Sequence, residues 1–379
     1  MLLSAKGEEG NAGTHMPRVL FLVNPEYKGR ILKLIAGKFS SSITYQIVSY
    51  AVGGRVRRNR LRSDDIHLWL FGDEALREAI MKFDPDVVLS DETLYGTHFE
   101  ILSLLAGKRK PLIIHLRGDP WAEHRARFFT TEFPMGLLMI QGYAYSWASL
   151  LLASKVAAVC KWLEASVRHH IPGKRTELIP PPVDLDQYYP EEGLQFERPA
   201  VAIIQNHSAY PKVAGLIDFR RVVEKLPDIH FYVAEGEAAP QPFLPTVKEH
   251  YSGLDNVHFV GGIDGSAGVR KMLTACDCYV LATKLDCCPV TVLEASLMSR
   301  PVIASRVGGV PEIVVENETG WTISNDSVEA WVEKISLVLS DSKLCRRLGQ
   351  NGKRFVSGHF GSDTIAAQME RFILTESSN

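Results

Sequence analysis

Apolar runs short enough to be single buried strands recur along this chain of 379 residues, each followed by a stretch of helical spacing. They come in two series separated by Pro180-Pro-Pro182. The first series is 18–23, 45–50, 86–89, 112–115, 156–159 and 177–180. Continuous apolar runs, rather than alternating ones, mark strands covered on both faces, as in a parallel sheet. Residues 73–83, 96–106 and 162–169 read as helices, with Ala75, Leu76, Ala79 and Ile80 on one face of the first. The proline triplet forces extended chain, and the Pro- and Glu-rich stretch that follows reads as a linker. The pattern then restarts. Strands are expected at 200–204, 230–233, 257–260, 278–281, 301–304 and 320–323, and helices at 215–225, 267–275, 290–298, 327–340, 342–357 and 363–374. The alternation predicts an α/β fold of two Rossmann-like, doubly wound domains facing each other across a cleft. The expected division is a disordered N-terminal segment or tag remnant at 1–16, a first domain at 17–183, a linker at 184–198, a second domain at 199–358 and a C-terminal helix, 359–379, crossing back to the first domain.

Charge sharpens this division. The chain has 42 Lys+Arg against 44 Asp+Glu. Residues 1–190 hold 24 basic and 20 acidic side chains and residues 191–379 hold 18 and 24, so a basic front half precedes an acidic back half. The near-zero total excludes a strongly basic nucleic-acid binder and an acidic disordered tail. The five arginines from Arg55 to Arg62 are the strongest charge run. They read either as a solvated face or as an attachment to an anionic membrane surface or a phosphate-bearing acceptor. No aromatic pattern accompanies them, which argues against single-stranded nucleic acid. Six cysteines without CxxC spacing are expected to be reduced, in a cytoplasmic protein. Residues 133–160 are apolar but interrupted by Gln141, Gly142, several serines and Lys155. They are read as a buried helical segment, with a membrane-dipping surface as the rival.

In open α/β sheets ligands bind beyond the carboxyl ends of the strands, so candidate residues are those just after strands. Asp286-Cys-Cys-Pro-Val-Thr-Val-Leu-Glu294 is the sharpest such segment. Asp286 follows a strand and Glu294 lies about two turns into the next helix, with Pro289 suited to its first turn. The backbone N–H groups between them would face a diphosphate, and a carboxylate on each side could accept hydrogen bonds from sugar hydroxyls. An ordinary strand-turn-helix with surface acids has the same spacing.

This segment resembles the Glu-x7-Glu signature of the retaining nucleotide-sugar glycosyltransferases of the GT-B fold (glycosyltransferase family 4, or group 1), with Asp286 in place of the first Glu. The downstream Pro301-Val-Ile-Ala-Ser, Gly308-Gly309-Val-Pro-Glu-Ile-Val and Asn317-Glu-Thr-Gly320 are similar to that family. So is Ile179-Pro-Pro-Pro-Val-Asp184-Leu-Asp-Gln-Tyr-Tyr-Pro190, which resembles its "PxGVD…F.P" segment with Pro182 in place of Gly. Asn256-Val-His-Phe-Val-Gly261 resembles its loop near the nucleobase. The resemblance covers 17–375 and is more specific in the second half.

The resemblance implies roles. Glu294 would hydrogen-bond ribose hydroxyls and Asp286 the donor sugar, while the backbone at Cys288, Pro289 and Val290 would meet the diphosphate. Asn206-His207-Ser-Ala-Tyr-Pro-Lys212 matches the family's "G-R-x…K-G" stretch, with Asn206 for its Gly and His207 for its Arg. Lys212 would then take the diphosphate. Ile113-Ile-His115-Leu-Arg117-Gly-Asp119 matches a "hxxHGD" pattern with Arg117 at the His position. Strand alternation puts His115 on the same side as Arg117, although a histidine satisfying a backbone carbonyl fits an interior strand. Asp119 would orient Arg117 or bind an acceptor hydroxyl. Gly29 is the one glycine where the family often has a Gly-Gly loop. The reading is a retaining hexosyltransferase that moves a sugar from a nucleotide diphosphate-sugar to an acceptor hydroxyl of a lipid-linked sugar, glycan or small molecule. The nucleotide sugar is co-substrate, and no cofactor, metal or nucleic acid takes part. The enzyme would be cytoplasmic and peripheral on the cytosolic membrane face. A nucleotide-sugar epimerase, a phosphorylase and a non-catalytic donor-binding subunit are the rivals on the same fold.

Overall fold

The computed structural model describes residues 2–6, 16–23, 30–40, 43–49, 80–91, 107, 110–123, 125, 135–205, 210–235, 243–263 and 265–377. It divides into two units, Met1–Pro182 with Ser362–Asn379, and Val183–Gly361. Gly29, Arg55–Arg62, Asn206, His207 and the helix expected at 96–106 lie outside the described residues. Of the helix expected at 73–83, residues 80–83 are described, and they are helical.

The first unit carries strands β1 (Leu2–Lys6), β2 (Arg18–Val23), β3 (Thr44–Ser49), β4 (Val87–Asp91), β5 (Leu112–Leu116), β6 (Lys155–Ala158) and β7 (Thr176–Leu178). Their order is β1-β3-β2-β4-β5-β6-β7. β2 to β7 are parallel, and β4 and β5 are buried along their whole length. The chain winds outward from β2 to β3 and in the other direction from β4 to β7, so the winding reverses between β2 and β4. The helices are α1 (Arg30–Ala36), α2 (Met135–Leu152) and α3 (Lys161–His170), joined by α10 (Ser362–Ser377) from the end of the chain. The Cys160 thiol caps α3 by accepting from Leu163 N at 3.4 Å.

Two expectations are corrected here. Leu2–Lys6 is a strand and not disordered chain. It pairs antiparallel with β3, Ala5 opposite Gln46 and Lys6 opposite Tyr45, because Leu2 and Leu3 begin a short strand that covers the open edge of β3. The segment around 133–160 does form a helix, α2, but it is not buried throughout. Ser146, Ser149 and Leu150 are buried, whereas Leu151 and Leu152 are 54% and 52% exposed. Among the described residues no helix is long and apolar enough to cross a membrane.

The second unit carries β8 (Ala200–Gln205), α4 (Tyr210–Val223), β9 (His230–Glu235), α5 (Leu244–His250), β10 (Val257–Gly262), α6 (Gly265–Ala275) and β11 (Cys278–Leu281). It continues with α7 (Val290–Leu297), β12 (Val302–Ser305), β13 (Gly320–Ile323), α8 (Val328–Ser340) and α9 (Ser342–His359). The sheet is parallel, in the order β10-β9-β8-β11-β12-β13. Winding runs from β8 out to β10 on one side and from β11 out to β13 on the other. β8 and β11 therefore flank the topological switch point, where ligands enter such folds. The core joins Val201, Ile203, Phe219, Phe231, Val280, Ile303, Trp321 and Trp331 across sheet and helices. The stretch expected as a linker is part of this unit. Leu185–Gln187 forms a short helical turn capped by Asp184, and Tyr188 is buried.

Candidate functional site

The switch point of the second sheet brings together the residues singled out after β8 and β11. Lys212 lies in the first turn of α4 and Asp286 in the loop after β11. Lys212 Nζ stands 3.4 Å from Asp286 Oδ2, with the two side chains 37% and 15% exposed. A partly exposed ion pair adds only about 0–1 kcal/mol of stability. The approach of the two elements depends on Gly215, one turn beyond Lys212. A Cβ there would lie 2.4 Å from Thr283 Cα, so α4 rests directly on the backbone leaving β11.

That backbone is fixed from several sides. Thr283 N donates to Ser305 Oγ at 2.9 Å, and Ser305 Oγ donates to Asn325 Oδ1 at 2.6 Å. Asn325 Nδ2 donates in turn to Thr283 O at 2.9 Å. Asp286 Oδ1 accepts from Cys287 N at 2.9 Å, while Gly309 N donates to Asp286 O at 3.3 Å. The neighbouring Gly308 has φ +51°, a conformation that favours glycine. The Tyr279 hydroxyl, on β11, donates to Ile204 O at 3.1 Å and lies 2.8 Å from Thr291 Oγ1, from which it accepts. This ties the first turn of α7 to the end of β8.

Glu294 lies a little over one turn into α7, closer to its start than the expected two turns, and it is 3% exposed. The Tyr188 hydroxyl donates to its Oε1. Pro289 is the N-cap residue, with φ −65° and ψ 115°, and Val290 opens the helix. The placement of Pro289 in the first turn is thereby corrected, and since proline has no N–H, it cannot donate to a diphosphate. Cys287 and Cys288 are 3% and 8% exposed. Gly261 lies toward the end of the edge strand β10 at a break in its register with β9, with φ +80°. Two strands, β9 and β8, separate it from β11.

In the first unit Arg117 follows β5. Its Nη2 donates to Asp91 Oδ2 at 3.1 Å, and its Nε lies 2.9 Å from Oδ1. Asp91 ends β4 and its side chain is wholly buried. Burial raises its pKa, against the opposing pull of Arg117. Asp119 does not orient Arg117. Its Oδ1 accepts from Trp121 N and Ala122 N at 2.9 Å each, and its Oδ2 accepts from Ser166 Oγ at 2.8 Å. It is a helix cap, 4% exposed. His115 is fully buried, its Nε2 3.1 Å from Ile179 O. Burial, then the nearby Arg117 charge, lowers its pKa to about 4, so the imidazole is neutral near pH 7.

Asp91 and Tyr188 are the functional candidates that sequence reasoning missed. The signal for Asp91 was an acid closing an otherwise apolar strand, and for Tyr188 a hydroxyl within the Asp184–Pro190 segment. Among the described residues no group of three or more His, Cys, Asp or Glu is arranged to hold a metal ion.

The switch point of this parallel sheet thus carries a cation, a facing carboxylate and a helix start. Residues 207–355 match the family "Glycosyl transferases group 1". That match lies within the second unit, and the fold is that of the GT-B glycosyltransferases. A GDP-mannose-dependent alpha-(1-6)-phosphatidylinositol monomannoside mannosyltransferase of Mycobacterium tuberculosis is 27% identical over 224 residues, 53% of this chain and 56% of that protein. The chain thus spans about half the length of that relative. Sucrose-phosphate synthase from Thermosynechococcus elongatus superposes with a TM-score of 0.71 at 15% identity, over 94% of this chain and 98% of that one. HepE of Anabaena in complex with UDP-glucose superposes with a TM-score of 0.68 at 15% identity, over 95% and 100%. At such identities the two structures speak for the fold alone.

Proposed function

We propose that the chain is a retaining glycosyltransferase that moves a sugar from a nucleotide diphosphate-sugar to an acceptor hydroxyl. The observation that carries this reading is the Lys212–Asp286 pair at the switch point of the group 1 domain. A relative supports it, since it is a GDP-mannose-dependent transferase. In this reading the donor diphosphate draws Lys212 from Asp286. The ammonium then offsets charge growing on the leaving group, the kind of fixed electrostatic stabilisation that dominates such steps. Asp286, released from the cation, accepts from hydroxyls of the donor sugar. Its side chain is one methylene shorter than Glu, and the loop hydrogen-bonded through Gly309 and Thr283 sets its reach. Glu294 accepts from the ribose hydroxyls. The leaving diphosphate oxygen takes the proton of the incoming hydroxyl on the same face of the sugar, which keeps the anomeric configuration.

The test is calorimetric titration of UDP and GDP into the wild-type chain, Lys212→Ala and Glu294→Ala. Removing a carboxylate that accepts sugar hydroxyls costs about 1.5–3 kcal/mol, roughly ten- to hundredfold in Kd. Lys212→Ala is expected to weaken the diphosphate further and to slow transfer by about 10²–10³. Unchanged affinity in both variants removes the site assignment. Product analysis with and without an acceptor separates transfer from epimerisation, which needs none.

A further inference from the structure

Glu294 is a carboxylate in the interior of its unit, 3% exposed, and a buried carboxylate is stable only where donors reach it. One donor comes from far along the chain. Tyr188, 4% exposed, gives its hydroxyl to Glu294 Oε1. In the resembled segment the family pattern ends Phe-x-Pro, whereas this chain has Tyr188-Tyr189-Pro190. The tyrosine at the Phe position brings a hydroxyl that phenylalanine lacks.

The short segment that carries Tyr188 is strapped down on both sides of it. Before it, Asp184 Oδ2 accepts from Gln187 Nε2 at 2.7 Å, closing the turn at 185–187. Arg270, 9% exposed on α6, then grips the strap at three successive points. Its Nη1 donates to Gln187 O at 3.0 Å, its guanidinium lies 4.6 Å from the Tyr189 ring centre, and its Nε donates to Glu191 Oε2 at 3.0 Å. Glu191 N in turn donates to Thr274 Oγ1 at 3.1 Å, also on α6. Residues 187, 189 and 191 are thus held against α6, and Tyr188, between them, is directed to Glu294. An arginine that holds a carbonyl, an aromatic face and a carboxylate at once is a rigid anchor.

We infer that Tyr188 is a positioning residue for the nucleoside of the donor, its hydroxyl holding the Glu294 carboxylate in the orientation that accepts from the ribose hydroxyls, with Arg270 as the anchor of the strap. The inference rests on the reading of Glu294 given under the proposed function. A carboxylate already oriented by one hydrogen bond loses less freedom when a second donor arrives, so the gain appears in affinity for nucleotides that possess the ribose hydroxyls.

The experiment titrates UDP and GDP, and their 2′,3′-dideoxy counterparts, into the full chain. It compares wild type, Tyr188→Phe, Arg270→Lys and Glu294→Ala, each checked for folding by circular dichroism. The expected wild-type ratio favours the ribose form, and Glu294→Ala abolishes that preference. Tyr188→Phe keeps the ring and is expected to shrink the ratio about three- to tenfold, the net scale of one ordinary hydrogen bond. The loss should fall on the ribose form, with dideoxy affinity unchanged. Arg270→Lys, which cannot hold the three partners together, moves the ratio in the same direction and decides the matter should Tyr188→Phe not fold. A ratio unchanged in Tyr188→Phe while Glu294→Ala abolishes it overturns the inference and leaves the site reading intact, as does equal weakening of both nucleotide forms. A ratio unchanged in Glu294→Ala, or a wild type that binds none of the four nucleotides, overturns the site reading and the inference with it.

Discussion

His115 and Arg117 stand two positions apart, and their surroundings treat them in opposite ways. Arg117 pairs with the Asp91 carboxylate, whereas His115, wholly buried, is without charge near pH 7. A carbonyl only accepts, so the imidazole nitrogen that faces Ile179 O must carry the proton. The pKa is lowered from 6.5 to about 4 by burial and, secondarily, by Arg117, against the hydrogen bond to Ile179. A histidine with a depressed folded pKa binds its extra proton more readily when unfolded. Stability is therefore fully present above about pH 6.5 and falls as the pH drops toward 4, where the loss levels off. The size is on the order of 3 kcal/mol. His115→Gln retains a donor for Ile179 O without a titrating ring. Thermal melts between pH 7 and pH 4.5 should show a smaller acid-induced fall in Tm for the variant than for wild type. Asp91, whose carboxyl burial pushes up, titrates in both chains, so the difference between them reports the imidazole. Equal pH slopes would show that His115 is protonated in the fold.

At the scale of elements, the donor-side site depends on how closely α4 lies on the end of β11. Gly215 permits that approach, and alanine there would place its Cβ 2.4–2.6 Å from Thr283 backbone atoms, which have no rotamer with which to yield. Gly215→Ala is expected to cost about 1–3 kcal/mol by overpacking. It should also weaken UDP or GDP binding, because Lys212 rides on the same helix. Gly358, exposed near the end of α9 with no atom within 4 Å of the added Cβ, is the control. Alanine there should be neutral or stabilise by up to about 1 kcal/mol. Paired Tm and calorimetric measurements check both, and a Gly215→Ala chain with wild-type Tm and affinity contradicts the argument. The elements themselves were legible wherever burial on both faces wrote a continuous apolar run, as in 112–116 and 200–204. Asp286 was legible because it sits in the loop after a strand at the carboxyl edge, and Lys212 because the stretch 206–212 resembles a segment of a known family. The pairs that orient the site were not. Arg117 and Asp91 are 26 positions apart, and Tyr188 and Glu294 are 106 apart. Which polar side chains meet at such separations is decided by the packing of whole elements. β1 escaped for a similar reason, since only the vacant edge of β3 makes Leu2–Lys6 a strand.

At the scale of the whole chain, α10 makes the first unit depend on residues far along the sequence from its sheet. Ile365, Ala366, Met369 and Ile373 are at most 1% exposed and Phe372 is 5% exposed. They complete the core formed by Val19, Phe21, Leu32, Ile35, Val87, Leu89 and Ile113. Lys155, itself 1% exposed at the start of β6, donates to Phe372 O and to Thr375 Oγ1, the latter at 2.8 Å, and lies 4.1 Å from the Phe372 ring centre. Ending the chain at Gly361 would strip four large apolar side chains from this core and take these acceptors from a buried ammonium. Each large apolar loss costs about 2–5 kcal/mol, so together they rival the 5–15 kcal/mol by which a typical domain is stable. The second unit, Val183–Gly361, keeps its own core, none of which lies in α10. The truncated chain is therefore expected to lose the first unit selectively. Limited proteolysis followed by mass spectrometry should leave a resistant fragment beginning near Val183, and wild type should resist over both units. Met369→Ala, a single deletion in the same core, should lower the Tm without exposing the whole unit to the protease. Equal resistance of residues 16–182 in the truncated and intact chains would mean that the sheet and α1 stabilise the first unit without α10.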